Sequence, residues 1–505
     1  MIAQEKSLAN MESLSVAAQE LQRFVEDAAC QGSAAHEVER EVFRRVLDIG
    51  RTAMQHFFEI QGSGDLGATV TLTNGQVVRR LNELHTRDYV SIFGPFQLER
   101  TVYGSRDGQR IDFVPLDVRL ELPESKFSYV LQDWDQMIVT EQPYLQVSQS
   151  LEHILGLKQH VDSLERMSRK MSDAADMFCW SLEAPPAEDE GTILVESADG
   201  KGVPIRRAAD TPVVHDHQHR RGPKPDRKRM ATVAAVYSVD RFERTPEQVV
   251  EALFRRPDED SATINKRPRP RHKRVYACLS HEDADGDSID GQVAAFSWMD
   301  QQARERLPNV QEMVSIMDGQ ESLWDRRVEL QDDLATVEIL DLLHVTSRLW
   351  QTAHLFHTSG SPEAEAFVRQ RVGHILHGRV DSVVRGLRRM GSLRGLNASK
   401  KKTLATICGY FSKNRDRMRY DKYLQNGYPI ASGVIEGACR HVVKDRLERT
   451  GMTWTKIGAQ AVLNLRSIAV SGYWNEFQHQ WVQTETERLY PHRNALVDYE
   501  WAITA

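Results

Sequence analysis

Apolar positions recur at helical spacing over residues 36–60, where Val38, Val42, Val46, Leu47, Ile49, Met54 and Phe57 mark one face. With the stretch before them they predict two N-terminal helices, read as a helical support or a dimerisation element. The pattern changes over 68–122. TVTLTNGQVVRRL and FQLERTVYGSRDGQRIDFVPLD are short alternating runs broken by Asn-Gly and Asp-Gly, which predict β-hairpins. Helical spacing returns over 126–183. Within it LQVSQSLEHILGLKQHVDSLERMSRKM predicts a helix to Leu155, a turn at Gly156 and a second helix opening near Val161. Arg166, Arg169 and Lys170 occupy polar positions of that second helix, where a major-groove helix carries them, although any helical hairpin with a glycine turn shares the pattern.

APPAEDEG, residues 184–191, predicts an acidic, proline-rich linker. TILVESADGKGVPIRR comes next and predicts a strand, a tight turn at Asp199-Gly200 and a return strand. Further strands are expected over 230–239, 275–279, 312–317 and 336–340, the last two ending in Asp318-Gly319 and Asp341, with helices over 246–254 and 291–307. Strands alternating with helices predict an α/β core with a mixed sheet. The stretch 345–428 reads as wholly helical, and helix resumes over 434–448.

Length and composition narrow the class. At 505 residues the chain is expected to hold two to four domains. Mean hydropathy is −0.50, and no apolar run reaches the roughly 18 residues that span a bilayer. The opening MIAQEKSLANMESL lacks the charged start and apolar core of a signal peptide. Cys30, Cys179, Cys278, Cys408 and Cys439 are scattered and form no Cys-x-x-Cys pair, so neither a zinc finger nor a disulfide framework is indicated. A cytoplasmic, reducing setting without membrane contact is the expectation. The net charge of −7 conceals two basic stretches. Residues 206–274 hold 18 Lys/Arg against 10 Asp/Glu, and 366–422 hold 15 against 3. Basic stripes on an acidic chain give its field a direction and imply a polyanionic partner.

Three acidic residues fit one kind of chemistry. Asp199 and Asp318 each come after a β run, and Glu436 lies in the helical stretch ASGVIEGACRHVVKDRLER. An Asp-Gly after a strand is also an ordinary hairpin turn. Oxygen-only ligands suit Mg²⁺ or Mn²⁺. Two such ions roughly 3.5–4 Å apart can clamp the attacking and leaving oxygens of an in-line phosphoryl displacement.

ADGKGVP around Asp199, MDGQESLW at Asp318, EILDLLHVTSRLWQTAHLFH from Glu338 and ASGVIEGACRHVVKDRLERTGMTW around Glu436 together resemble DDE transposases of bacterial insertion sequences, of the ISKra type. FGPFQLERTVYG and PLDVRLELP resemble the same group. The resemblance implies a ribonuclease-H-like core with an all-helical insertion before the glutamate. It implies binding of the element's terminal inverted repeats in double-stranded DNA, and Mg²⁺-dependent strand cleavage and joining by a homo-oligomer. Asp199, Asp318 and Glu436 become the metal-binding triad by carry-over. The corresponding division is 1–67 helical, 68–125 β-hairpin, 126–183 helix-turn-helix-like, 184–191 linker, 192–344 first part of the core, 345–428 insertion and 429–505 the rest of the core.

Asp341, with His344 three residues on, competes with Asp318 for the second aspartate. Asp318 is preferred because a ribonuclease-H-like sheet carries that residue at its fourth strand, which leaves Asp341 and His344 as supporting groups or a helix cap. DNA-contact candidates outside the helical hairpin are Lys201, Arg220, Arg221, Lys228, Arg229, Lys273, Arg274, Arg388 and Arg389, with Arg440 and Lys444 expected on the face of Glu436. His215, His217 and His219 read as a solvated or DNA-facing loop rather than a metal cluster. Trp324, Trp350 and Trp454 read mainly as core, with stacking on a flipped base as the alternative. The rival functions are a nuclease that cleaves without joining and a DNA-binding repressor whose site is dead.

Overall fold

The N-terminal amphipathic pattern folds as two long helices, α1 (Ile2–Gln31) and α2 (Ala35–Gln61), in a structure that is a computed structural model. It describes residues 2–105, 110–206, 228–255, 267–282, 286–449, 451–497, 499 and 501. Two hairpins come next, β1 (Thr69–Thr71) with β2 (Val77–Arg80), and β3 (His85–Ser91) with β4 (Gly94–Arg100). A short β5 (Tyr103–Gly104) adds to β2. Helix α3 (Pro115–Arg119) brings Asp117 under the second hairpin, where its Oδ2 accepts from Arg87 at 2.8 Å and Arg100 at 2.5 Å. The helices α4 (Tyr129–Glu141), α5 (Tyr144–Leu155) and α6 (Val161–Ser181) complete the run. Gly156, at φ 69°, ends α5 in the left-handed conformation that a glycine cap supplies.

Contacts divide the chain into two units, Met1–Met167 with Trp474–Ala505, and Ser168–Tyr473. The division falls inside α6 and not at 184–191. That stretch is no free linker. Glu190 and Arg306 form an ion pair at 2.8 Å with both side chains fully buried, and a Cβ on Gly191 would lie 2.5 Å from the Val239 backbone.

The second unit is built on a five-stranded mixed sheet. Its strands are β6 (Ile193–Pro204), β7 (Lys228–Val239), β8 (Arg271–Leu279), β11 (Glu312–Met317) and β12 (Val337–Leu340), ordered β12-β11-β6-β7-β8. The first three form an antiparallel meander, while β11 and β12 run parallel to β6. Helix α7 (Pro246–Phe254) opens on a capping box, Thr245 with Gln248. The small β9 (His281–Glu282) and β10 (Ser288–Ile289) precede α8 (Gly291–Arg306), which lies against β7 and β8. Helix α9 (Glu321–Gln331) makes the crossover between β11 and β12.

The Asp199-Gly200 turn expected from sequence does not form. β6 runs straight through it, and Asp199 to Pro204 pair residue by residue with Val233 to Lys228. Gly200 and Gly202 serve close approach instead: a Cβ at either would lie 3.0 Å from the side chain of Met230 or Lys228.

Five helices come after β12, namely α10 (Leu342–Phe356), α11 (Pro362–Leu376), α12 (Val380–Leu393), α13 (Ala398–Lys413) and α14 (Tyr420–Gln425). They are no appendage. One continuous buried cluster joins Ile193, Val195, Val314 and Ile316 of the sheet to Leu349, Val368, Leu387, Phe411 and Leu424 of these helices. The strand alternation explains it, since residues two apart share one sheet face.

The chain then returns to the sheet as α15 (Gly433–Ala438). The helix expected over 434–448 is interrupted by a π-helical segment, Cys439–Lys444, before α16 (Asp445–Leu447). The widened turn lets the buried Arg466 guanidinium reach the carbonyls of His441 and Val442. Arg466 lies on α17 (Lys456–Ser471), which packs on β8. The last long helix, α18 (Trp474–Leu489), belongs to the first unit, where the Trp474 indole donates to Asp133 at 2.7 Å.

Candidate metal centre

Parallel neighbouring strands end at the same edge of a sheet, so the residues just beyond them emerge side by side. Met317 pairs with Leu340, and the next residues are Asp318 and Asp341. β6 pairs with β11 at Glu196 and Ser315, and three residues further along the chain from each stand Asp199, still within β6, and Asp318, just past β11. The chain entering α15 is tied to this edge: Ser432 donates from its backbone N (3.0 Å) and Oγ (2.7 Å) to Asp341. One turn later comes Glu436. Ligand atoms of Asp341, His344 and Glu436 all lie within 4.8 Å of one another.

The carboxylates differ in how far their oxygens are already used. Asp341 is fully buried and caps α10. Its Oδ1 accepts from Leu343 N and Ser432 N, and its Oδ2 from His344 Nδ1 (2.8 Å) and Ser432 Oγ. Four donors fill the roughly four lone-pair sites of a carboxylate. Asp318 and Asp199 are half-buried. Asp318 Oδ1 accepts from Gln320 N at 2.5 Å, and Asp199 Oδ1 from Gly200 N at 2.7 Å. Among the described residues, Asp199 Oδ2 receives only a long contact from the Cys439 thiol, at 3.7 Å. Glu436 is exposed.

Their charges are coupled. Burial and then the neighbouring Asp318 charge raise the Asp199 carboxyl above its ordinary value, and burial with Asp341 and Asp199 raises Glu436. Burial would raise Asp341 too, but the hydrogen bonds from His344, Ser432 and Leu343 outweigh it and hold it low. His344 is raised, first by its bond to Asp341 and further by the charges of Asp341, Asp318 and Asp199. The edge therefore carries more negative charge than the His344 imidazole relieves. A hard divalent cation with oxygen ligands, Mg²⁺ or Mn²⁺, fits that deficit and that donor set.

The basic candidates scatter. Arg274 is buried, its guanidinium committed to the carbonyls of Leu182 and Glu183 and to Gln302, so it is a structural residue and not a DNA contact. Lys201 and Lys228 face Glu448, at 3.9 and 2.5 Å. The π turn breaks the 3.6-residue spacing that was to align Arg440 and Lys444 with Glu436. Both are exposed, and Arg440 lies 3.5 Å from Asp445. Arg166, Arg169, Arg229, Arg388 and Arg389 are exposed, and Lys170 and Lys273 half-buried. Arg220, Arg221 and the three histidines at 215, 217 and 219 lie outside the described residues.

Sequence reasoning missed Ser432, Cys439 and Tyr410. Ser432 and Cys439 stand four residues before and three after Glu436, a helical spacing that could have flagged them. Tyr410 carries no local signal. It reaches the centre from α13, where its hydroxyl accepts from Gly319 N at 3.2 Å.

No protein-family model matches the chain, and no curated protein does. Among solved structures, the Drosophila P element transposase strand transfer complex is similar at 11% identity. The match covers 73% of this chain and 86% of that one, with a TM-score of 0.24. A functional reading therefore rests on the chemistry of the sheet edge.

Proposed function

We propose that this chain is a DNA transposase of the insertion-sequence type, with Asp199, Asp318 and Glu436 as its metal-binding triad on a ribonuclease-H-like core. The carrying observation is that Asp199, Asp318 and Asp341 emerge together at one sheet edge with Glu436 beside Asp341, where burial and then neighbouring carboxylate charge raise Asp199 and Glu436, an arrangement that cations would balance. The strand order supports the reading, since a meander flanked by two strands parallel to its first is how a ribonuclease-H-like sheet is wound. Bound Mg²⁺ or Mn²⁺, two ions in this reading, would supply activation of a water or a DNA 3′-hydroxyl and neutralise the phosphate. Asp199 and Asp318 are less engaged by hydrogen bonds and are assigned to hold such ions; Asp341, which already accepts four hydrogen bonds, is assigned to orient His344 and Ser432 beside Glu436. Exposed Arg388 and Arg389 on α12 and Lys400, Lys401 and Lys402 on α13 offer cations for the DNA backbone. The pair α5 and α6, with Arg166 exposed, is our candidate for reading the terminal inverted repeats, and strand joining is assigned to a homo-oligomer.

The test is nicking of labelled element-end DNA, and its joining to a supercoiled target, with Mg²⁺ or Mn²⁺ present. Nicking and joining are expected from the wild type and neither from Asp199→Asn or Glu436→Gln, with DNA binding retained. Nicking without joining turns the reading to a nuclease. Specific binding without cleavage under either ion turns it to a repressor.

A further inference from the structure

Asp318 stands one residue beyond the end of β11, outside its ladder. Asp199, by contrast, lies inside a paired strand. Two aromatic groups do for Asp318 what the ladder does for Asp199. The Trp324 indole donates to the Asp318 carbonyl at 2.6 Å, and the next amide, Gly319 N, donates to the Tyr410 hydroxyl at 3.2 Å. Tyr410 lies so close that a Cβ on Gly319 would sit 2.2 Å from its ring. Glycine is therefore required at 319 by the tyrosine, and not by a left-handed turn. Arg348, one helical turn past His344 on α10, covers the Tyr410 ring at 5.3 Å. Burial and the Asp318 charge push the Tyr410 phenol up to about 12, so at neutral pH it is an intact hydroxyl that can accept the amide.

We propose that Tyr410 is a positioning residue for Asp318, so that the helical insertion sets the ion affinity of the centre by clamping the Asp318–Gly319 backbone. This rests on the metal centre proposed above. One hydrogen bond of this kind corresponds to roughly a two- to tenfold change in an equilibrium. It acts through a backbone amide, not through a ligand atom, so the loss is graded and excess metal restores it.

The experiment is Mn²⁺ binding to the full chain by electron paramagnetic resonance, on wild type, Asp318→Asn, Tyr410→Phe, Tyr410→Ala, Gly319→Ala and the double variant Gly319→Ala/Tyr410→Ala. Asp318→Asn is expected to abolish one class of bound ion. Tyr410→Phe should weaken that same class roughly two- to tenfold. Cleavage by Tyr410→Phe should fall at low Mn²⁺ and recover at high Mn²⁺, with the KM for DNA unchanged. Gly319→Ala should weaken ion binding further, and the double variant should lose less than the two single effects combined, because the truncated side chain no longer meets the new methyl. Equal Mn²⁺ affinity in wild type and Tyr410→Phe, with the ion lost in Asp318→Asn, overturns this inference and leaves the centre standing. No Mn²⁺ bound by the wild type overturns both.

Discussion

The ends of β11 and β12 are the instructive pair. Each is a short parallel strand with an aspartate directly after it, and the two aspartates continue one register. Yet Asp341 is fully buried with every lone pair engaged, whereas Asp318 is half-buried with one oxygen taken by Gln320 N. The element downstream of each strand makes the difference. After β12 a helix begins immediately, so Asp341 becomes its cap and meets the chain that enters α15. After β11 a turn intervenes before α9, and the carboxylate is left facing the sheet edge. A shared local signature thus yields a structural hub at one strand and a less engaged carboxylate at its neighbour.

Exchanging each aspartate for asparagine tests that contrast most severely. Asp318→Asn is expected to lower the metal-dependent nicking rate by about 10³-fold or more while leaving the urea midpoint of unfolding nearly unchanged. Asp341→Asn should do the reverse. Losing a buried, hydrogen-bonded charge should cost about 2–4 kcal/mol in the same unfolding titration, with a slower but measurable nicking rate. If Asp341→Asn is stable and inactive, Asp341 is the ligand and the contrast is inverted.

A smaller effect is expected at Ser432, which joins the two halves of the site. Ser432→Ala removes the Oγ bond to Asp341 but keeps the amide bond, and should cost about 1 kcal/mol in urea unfolding. An unchanged midpoint there would mean that the amide and His344 suffice to hold Asp341.

The gentlest probe is pH. The His344 imidazole is raised in the folded chain, so its contribution to stability is complete below the unfolded value of about 6.5. That contribution is lost as pH rises through the higher folded value. Wild type should therefore lose stability relative to His344→Gln as pH climbs from about 6 to 8, in paired unfolding titrations. Asp341 is held low, so its share is present above about pH 3.9 and is lost on acidification through the lower folded value. Parallel curves for the two proteins across that neutral range would show that the imidazole carries no extra proton in the native state.

Much of the second unit was legible in its periodicity. The helix over 246–254 and the strand over 312–317 fall where the apolar pattern puts them, as α7 and β11, because length, flanking polar residues and period agree there. The Asp199-Gly200 turn failed for a definite reason. Asp-Gly is permitted in a turn but does not compel one, and the pairing of β6 with β7 continues through it. The proline-rich 184–191 stretch failed likewise, because the Glu190–Arg306 pair that anchors it joins residues 116 apart.

By itself the sequence determined elements such as α7, β11 and the helices over 345–428, and that Asp318 and Asp341 directly follow β runs of the core. Those features depend on neighbours within a few positions, which share one helix face or one strand face. Only the tertiary structure decided which carboxylates keep free oxygens, that Tyr410 sits on Gly319, that Arg274 is buried and that a π turn comes after Glu436. Each of these is set by where donors and acceptors distant in the chain, such as Ser432, Tyr410 and Arg466, find their partners, and periodicity carries no information about such pairings.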